Sequence, residues 1–170
     1  MDQHAGDSFD LDEVRVRQAR PTDAGSLRDL FVEGLIEGKV WGGDTGADLE
    51  NLHTAYFSDQ GQSCFWVAEY RGQVIGMIGV QQMGENSAEV RRLRVRHEYR
   101  RRGLGSRLMG EAIAFCQRLG YLKVVLDVRT ERVPAIAMFK KWGFQLARTR
   151  EVGERTLLDF YLDLYRDPGA

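Results

Sequence analysis

The segment Arg100–Ser106 combines residue types that bind phosphate. It reads Arg-Arg-Arg-Gly-Leu-Gly-Ser and lies between a predicted strand and a long predicted helix. The first N–H groups of a helix have no intrahelical partner, and the helix dipole adds partial positive charge there, so anions bind at this end. Gly103 and Gly105 lack Cβ atoms, which lets phosphate oxygens approach the backbone closely. We therefore predict a phosphate-binding turn.

Two common phosphate motifs do not fit this turn. A P-loop requires Lys followed by Ser or Thr after its last glycine, whereas Ser106 and Arg107 follow Gly105. The dinucleotide-binding pattern requires a third glycine where Leu108 stands. The remaining pattern, Arg-x-x-Gly-x-Gly, fits a phosphate-bearing ligand or an arginine-rich surface turn.

Hydrophobic periodicity predicts the elements that position this turn. Strands are predicted at 14–17, 65–70, 74–80, 88–96, 122–128, 144–148 and 156–165, and helices at 27–35, 48–58, 103–119 and from 134 to about 143. The apolar run at 122–128 is typical of a strand buried on both faces. This order predicts a mixed α/β sheet with helices packed against it. We expect one domain over residues 14–166 behind a flexible acidic tail at 1–13.

Composition limits the partners. The chain has 170 residues and a formal net charge of −1, which argues against nucleic acid or a membrane surface as a general partner. The acidic N-terminus has no apolar signal region, and no stretch approaches the roughly 20 apolar residues of a membrane span. We expect a cytoplasmic protein. Cys64 and Cys116 are too few for a disulfide framework or a cysteine zinc site, so no metal is expected.

Further stretches give the chain a family resemblance. The run Ala88–Val95, followed by Tyr99–Gly105, resembles motif A of the GNAT superfamily of N-acetyltransferases. Ala135–Phe144 resembles motif B, and Arg15–Ala24 resembles the first strand and helix start. The resemblance covers about Val14 to Tyr165. It implies a mixed, mostly antiparallel central sheet, splayed between strands 4 and 5 and flanked by about four helices, with coenzyme A in the opening.

The resemblance also implies which residues hold acetyl-CoA. N–H groups from Arg101 through Ser106 would bind the pyrophosphate, and the backbone of Leu93 and Val95 would pair with the pantetheine. The implied cofactor residues are Leu93, Arg94, Val95, Arg100, Arg101, Arg102, Gly103, Leu104, Gly105, Ser106 and Phe139. On this interpretation the local arginines serve cofactor phosphates. A nucleic-acid patch is the alternative, but no aromatic residues are interleaved for base stacking.

The activity implied is direct transfer of an acetyl group to a primary amine of a small molecule or peptide. Such a reaction needs a base for the proton of the amine. Glu89, on the fourth strand near the splay, matches a common position of that base. The alternative for Glu89 is a surface salt bridge to Arg91 or Arg92. His97 has a suitable intrinsic pKa, although a solvated loop histidine is the more ordinary state.

The acid that protonates the leaving sulfur is the point where the chain departs from the family. Phe139 stands at the position of the usual tyrosine, and Arg132 stands where an asparagine is frequent. A phenyl ring cannot donate a proton, so we consider Tyr161, on a closing strand, as a substitute acid. The departure also makes a non-catalytic acyl-CoA-binding module the alternative function.

The acceptor side is expected near the first two helices, their loop and the turn at Gly153. Trp41 could wall off an acceptor, and Glu37 and Asp44 could attract an amine. The sequence does not identify the acceptor. Homodimer formation through the closing strands is an open alternative.

Overall fold

The computed structural model describes residues 8–37 and 43–165, which form one seven-stranded sheet with helices on both faces. The helices are α1 (Ala24–Ile36), α2 (Ala47–Glu50), α3 (Leu52–Tyr56), α4 (Leu104–Arg118) and α5 (Val133–Lys141). The strands are β1 (Arg15–Gln18), β2 (Cys64–Tyr70), β3 (Gln73–Gln82), β4 (Ser87–Val95), β5 (Lys123–Arg129), β6 (Gln145–Val152) and β7 (Arg155–Asp163).

The sheet order is β1-β2-β3-β4-β5-β7-β6, and its strands are antiparallel except for the pair β4 and β5. One face carries α1–α3 over an apolar cluster that includes Leu30, Phe65 and Met77. The other face carries α4 and α5 over a second cluster that includes Leu108 and Phe139. This is the mixed, mostly antiparallel α/β fold predicted from the sequence.

The central strands β4 and β5 pair over a short length only. Ser87, Ala88 and Glu89 pair in parallel with Lys123, Val124 and Val125. Beyond these residues the two strands have no paired register, although β4 continues to Val95 and β5 to Arg129. The sheet is therefore splayed between its fourth and fifth strands, as predicted, and the opening widens towards the carboxyl ends of both strands.

A β-bulge interrupts β4 beside this opening. Gly79 pairs with Arg91 and Met77 pairs with Arg94, so Arg92 and Leu93 together oppose one residue of β3. Arg92 has φ of 62°, a left-handed conformation that is uncommon for a residue with a side chain. Such a conformation persists where neighbouring contacts hold it. A bulge also increases the local twist, which here turns the end of β4 away from β5.

Two sequence predictions differ from the structure. The helix predicted over residues 48–58 is divided into α2 and α3, because Asn51 adopts φ −117° and ψ 48° between them. The strand β5 is not buried on both faces: Val124 and Leu126 are buried, but Asp127 is exposed. One face of β5 packs on the helices, and the other forms part of the wall of the opening.

Part of the predicted flexible tail packs on the domain. Residues 1–7 lie outside the described residues, but Leu11–Glu13 form a turn of 3₁₀ helix. The ring of Phe9 contacts those of Tyr70 and Tyr99, at centroid distances of 4.9 and 5.4 Å. An aromatic residue in an otherwise acidic segment supplies the apolar contact that holds the chain here. In the described part of the chain, no helix has the length and apolar character of a membrane span.

Candidate active site

The predicted phosphate turn enters α4 in a conformation that exposes its N–H groups. Gly103 is the N-cap with φ of 86°, and no side chain caps the helix. The first backbone hydrogen bond of α4 runs from Arg107 N to Gly103 O at 3.1 Å, so the N–H groups of Leu104–Ser106 precede it. A left-handed φ strongly favours glycine. The arrangement is that of an anion site at the start of a long helix.

The side chains around this turn differ in solvent exposure. Arg101 and Arg102 are exposed, as is Ser106, and Leu104 is buried beneath the turn. A Cβ on Gly105 would lie 3.4 Å from Met138 Sδ on α5, so this glycine also permits close approach of the two helices. The turn follows the unpaired end of β4, where the splay is open, and packs the start of α4 against α5.

Arg100 directs its side chain away from the turn. Its Nη1 and Nη2 atoms each donate to the Glu37 carboxylate at 2.9 Å, and Nη2 also donates to Glu33 Oε1 at 3.2 Å. Its Nε donates to Val95 O at 3.0 Å. The guanidinium thus ties the end of α1 to the end of β4, and Glu37 is neutralised rather than available for an amine.

The open edge of β4 presents backbone polar groups to the splay. Arg96 N donates to Ile75 O at 2.8 Å, which places the N–H of Arg96 on the β3 side. Because backbone groups alternate between the two edges of a strand, Leu93 and Val95 face the opposite, open edge. An extended ligand chain could add to this edge as a strand does.

A cavity of about 700 Å³ lies between the splayed strands and reaches under α1 and α2. This volume is within the range of small-molecule sites. The predicted residues that line it are Glu89, Leu93, Arg94 and Phe139. Asp44, also predicted for the acceptor side, lines it as well. Trp41 lies outside the described residues.

Glu89 lies at the narrow end of the cavity, where the pairing of β4 and β5 stops. Its side chain is 26% exposed, and its Oε1 is 3.5 Å from Arg91 Nε. Burial raises the pKa of Glu89, and the negative charges of Asp127 and Asp159 raise it further, while Arg91 opposes them. A carboxyl group with a raised pKa is suited to exchange protons nearer neutral pH. The salt bridge to Arg91, predicted from the sequence as the alternative role of Glu89, is also present.

The remaining predicted proton donors and acceptors are not in the cavity. Tyr161 is paired with Val125 and Gln145, and its hydroxyl donates to Gln145 Oε1 at 2.8 Å. The side chain of His97 is 76% exposed outside the cavity. Phe139 lines the cavity, but its ring packs against Phe144 and Phe160 and carries no proton to donate. Among the described residues, no tyrosine, histidine or cysteine lines the cavity.

The cavity lining is rich in arginines, and the sequence alone did not predict that they lie together. Among the described residues that line it, four are acidic and seven are arginines. The arginines are Arg91, Arg92, Arg94, Arg129, Arg132, Arg150 and Arg155. They come from β4, β5, β6, β7 and the start of α5, so no local motif carries the signal. Only the folded sheet brings them together.

Arg92 is the arginine with the fullest set of partners. It donates to Asp48 Oδ1 at 2.5 Å and to Asp44 Oδ1 at 2.8 Å, and its guanidinium lies 5.3 Å from the centre of the Phe31 ring. Burial disfavours the charged carboxylates, but the hydrogen bonds and charge of Arg92, together with hydrogen bonds from Gly46 N to Asp44 and from the Tyr56 hydroxyl to Asp48, lower the pKa of both groups. Asp44 is therefore committed to an ion pair that holds α2 on β4.

A family comparison decides the identity of this fold. Residues 28–144 match the model of the "Acetyltransferase (GNAT) family". The chain belongs to the GNAT family. Acetyltransferases of this family use acetyl-CoA as the acetyl donor. The match includes the splay, the phosphate turn and motif B.

Curated relatives of this GNAT domain are N-acetyltransferases. Human N-acetyltransferase 8 is 33% identical over 103 residues, which cover 58% of this chain and 45% of the relative. N-acetylaspartate synthetase from Danio rerio is 34% identical over 109 residues, which cover 64% of this chain and 36% of the relative. The chain thus spans less than half the length of these relatives.

Solved structures share the fold of this GNAT domain. A GNAT acetyltransferase from Staphylococcus aureus superposes with a TM-score of 0.79 at 17% identity, covering 89% of this chain and 99% of that one. An acetyltransferase from Salmonella typhimurium, solved with acetyl-CoA, superposes with a TM-score of 0.77 at 18% identity, covering 92% of this chain and 96% of that one.

Proposed function

We propose that this chain is an acetyl-CoA-dependent N-acetyltransferase that acetylates a primary amine of a small molecule or peptide by direct transfer. One observation carries the proposal: the splay has an uncapped α4 terminus at its mouth and a carboxyl group of raised pKa at its closed end. The names of the curated relatives support the same reaction.

The residues present fit acetyl-CoA. The uncapped N–H groups of Leu104–Ser106 suit a pyrophosphate, and the left-handed Gly103 leaves that approach open. The open edge at Leu93 and Val95 suits an extended chain with amide groups. When bound, acetyl-CoA supplies an acetyl group activated as a thioester. A β4 backbone N–H at the open edge would stabilise negative charge on the acyl oxygen.

Glu89 is the proposed base, because its carboxylate lines the cavity beside the point where the strands separate. It would accept a proton from the acceptor amine. No tyrosine among the described residues lines the cavity as a donor to the leaving sulfur. A thiolate is a tolerable leaving group, with a reference pKa of about 8.5, so the reaction proceeds without that donor or with water in its place.

The test combines acetyl-CoA binding with thiol release. Gly103→Glu places a carboxylate at the α4 terminus and should weaken acetyl-CoA binding by about 10-fold or more, since that carboxylate repels the phosphates. Gly120→Glu is the matched control: Gly120 also has a left-handed φ, of 76°, but lies at the opposite end of α4 with open space around it. Affinities are measured by calorimetry.

Two results would contradict the proposal. Equal acetyl-CoA affinity in Gly103→Glu and Gly120→Glu would remove the phosphate site. Tight binding without thiol release for any amine in a broad panel would favour the non-catalytic acyl-CoA-binding module, which the buried Phe139 in place of a tyrosine makes the alternative.

A further inference from the structure

Positive charge in the cavity exceeds what its own carboxylates neutralise. Arg92 is paired with Asp44 and Asp48, and Arg150 is paired mainly with Asp159. Arg94, Arg132 and Arg155 differ from these, because the described residues offer them little or no hydrogen bonding. An unsatisfied buried guanidinium is unfavourable, and a ligand that accepts its hydrogen bonds would relieve the penalty.

Arg94 is the most enclosed of the three. It is 6% exposed, and its Nε and Nη2 atoms have no hydrogen-bond partner among the described residues. Its nearest acid is Glu37, whose Oε2 lies 3.7 Å from Nη2, beyond hydrogen-bond length. Glu37 is bound by Arg100 at 2.9 Å. Burial lowers the pKa of Arg94, and the neighbouring charge of Arg100 lowers it further.

Arg132 and Arg155 approach from the opposite wall. Arg132 begins α5 and makes no side-chain hydrogen bond or ion pair with the described residues. Burial and the charges of Arg94 and Arg100 lower its pKa to about 10. In Arg155, at the start of β7, the Nη1 atom is buried without a hydrogen-bond partner among the described residues. The negative charge of Glu37 opposes this lowering at both Arg94 and Arg132, but Glu37 lies beyond hydrogen-bond length from Arg94.

Cofactor phosphates do not account for Arg94. Ala88 and Val90 of β4 pack on the α4 side of the sheet, so Glu89 points to the α1 side. Arg94 pairs with Met77, which belongs to the α1-side cluster, and therefore lies on the same side as Glu89. The phosphate turn opens α4, on the other side. Arg94 thus shares a face with the proposed base, where an acceptor amine must bind.

We propose that the acceptor is an amine that also carries a carboxylate, which Arg94 and Arg132 bind from the two walls of the splay. The inference rests on the proposed N-acetyltransferase function, since it names the substrate class of the same cavity. A guanidinium donates two parallel hydrogen bonds to a carboxylate. Such an acceptor places its anion between the two arginines and its amine towards Glu89. Amino acids and peptides with a free carboxyl group have this chemistry.

The activity test uses matched acceptors. Each amino acid in a panel is compared with its carboxamide, with the amine that lacks the carboxyl group and with the corresponding aminophosphonate. The intact protein should prefer the carboxylate over the carboxamide by about 10- to 100-fold in kcat/KM, since hydrogen bonds to a charged group are lost. Equal or faster acetylation of the carboxamide would overturn the proposal, and so would a preference for the phosphonate.

Three variants test which arginines cause the preference for a carboxylate. Arg94→Met and Arg132→Met keep the apolar stem and remove the cation, so each should lower kcat/KM for the carboxylate to about that for the carboxamide. Arg118→Met, at the exposed end of α4, should leave the preference unchanged. Arg94→Met should fold, because it removes a buried cation, and a thermal melt checks this. If it does not fold, Arg132→Met carries the test. A preference that survives in Arg132→Met and in a folded Arg94→Met would overturn the assignment.

A binding measurement separates this inference from the proposed function. Calorimetry with an N-acetyl amino acid and with its N-acetyl amide requires no turnover. Binding of the acid but not the amide, lost in Arg132→Met, supports the carboxylate site even if no thiol is released. Equal affinity for the two ligands would overturn the carboxylate site while leaving acetyl-CoA-dependent transfer intact.

Discussion

At the scale of single residues, the carboxyl groups of the cavity have pKa values shifted in opposite directions. Asp44 and Asp48 receive hydrogen bonds from Arg92 and from a second donor each, and these together with the charge of Arg92 lower the pKa of both despite their burial. Glu89 lies 3.5 Å from Arg91 Nε, and burial raises its pKa. The carboxylates of Asp44 and Asp48 therefore stabilise the fold as ion pairs, whereas Glu89 can change its protonation state nearer neutral pH.

Replacement of Glu89 should separate catalysis from stability. Glu89→Gln should lower kcat/KM at neutral pH by about 100-fold or more, the usual contribution of a general base. In the parent protein, activity should fall with falling pH through the raised pKa of Glu89, and this limb should disappear in the variant. Glu98→Gln, at an exposed glutamate outside the cavity, is the control. An unchanged pH–rate profile in Glu89→Gln would exclude Glu89 as the base.

The same variant should not destabilise the protein near neutral pH. A raised folded-state pKa means that folding favours protonated Glu89, so its stabilising contribution is lost as pH rises through that pKa. Glutamine keeps the neutral shape, and the melting temperature of Glu89→Gln at pH 7 should equal or exceed that of the parent. A clear drop would instead indicate that the salt bridge to Arg91 is the main role of Glu89.

Tyr161 gives a contrasting expectation. Its hydroxyl donates to Gln145 and lies on a strand pair outside the cavity lining. Tyr161→Phe should therefore change kcat by less than about 3-fold, far below the 100-fold typical of a lost general acid. Steady-state rates at saturating acetyl-CoA test this. A large fall in kcat with unchanged KM would show that the hydroxyl reaches the reaction.

At the scale of elements, the bulge in β4 and the short helix α2 depend on each other. Arg92 adopts its left-handed conformation at the bulge and donates to Asp44, which precedes α2, and to Asp48 within α2. The bulge bends β4 away from β5, and α2 closes the cavity above it. The Arg92 side chain therefore links the bend in β4 to the position of α2.

Replacement of Arg92 should lower the free energy of unfolding. Arg92→Ala leaves two partly buried carboxylates without their cation, a change that destabilises by about 3 kcal/mol or more. Since Asp44 and Asp48 then repel each other, the variant should gain stability relative to the parent as pH falls towards 4. Urea unfolding at pH 7 and pH 4.5 measures both effects. A variant as stable as the parent at pH 7 would mean that the ion pairs contribute little.

At the scale of the whole molecule, arginine–carboxylate pairs link neighbouring strands at both ends of the sheet. Arg17 donates to Asp23 at 2.8 Å and to Glu69 at 2.7 Å, which joins β1 to β2 and to the start of α1. Arg150 donates to Asp159 at 2.7 Å across β6 and β7. These partners lower the pKa of Asp23 and Asp159.

The pairs predict the acid sensitivity of the molecule. A lowered folded-state pKa contributes stability that is present above the ordinary aspartate pKa of about 3.9 and is lost as pH falls through the folded value. The free energy of unfolding should therefore decrease below about pH 4. Asp23→Asn should lower stability at pH 7 and flatten this decrease. An unaltered slope in the variant would show that Asp23 does not contribute to it.

The sequence by itself determined the features whose cause is local. Glycines at 103 and 105 between a strand and an amphipathic helix predict an anion site, because a helix terminus and a left-handed residue are properties of neighbouring residues. The apolar runs of β2 and β3 and the apolar stripe of α4 likewise follow from local hydrophobic patterns. The splay of the sheet and the cofactor were predicted from the resemblance of the two motifs to those of the GNAT superfamily.

Only the tertiary structure decided what the cavity contains. Arg94, Arg132 and Arg155 are far apart in the chain, and the divergence of β4 from β5 brings them to one space. Ion pairing also depends on residues distant in the sequence. Asp44 and Glu37 were predicted to attract an amine, but Arg92 and Arg100 neutralise them. Burial raises the pKa of Glu89 for the same reason, since solvent access is set by the packing of the whole fold.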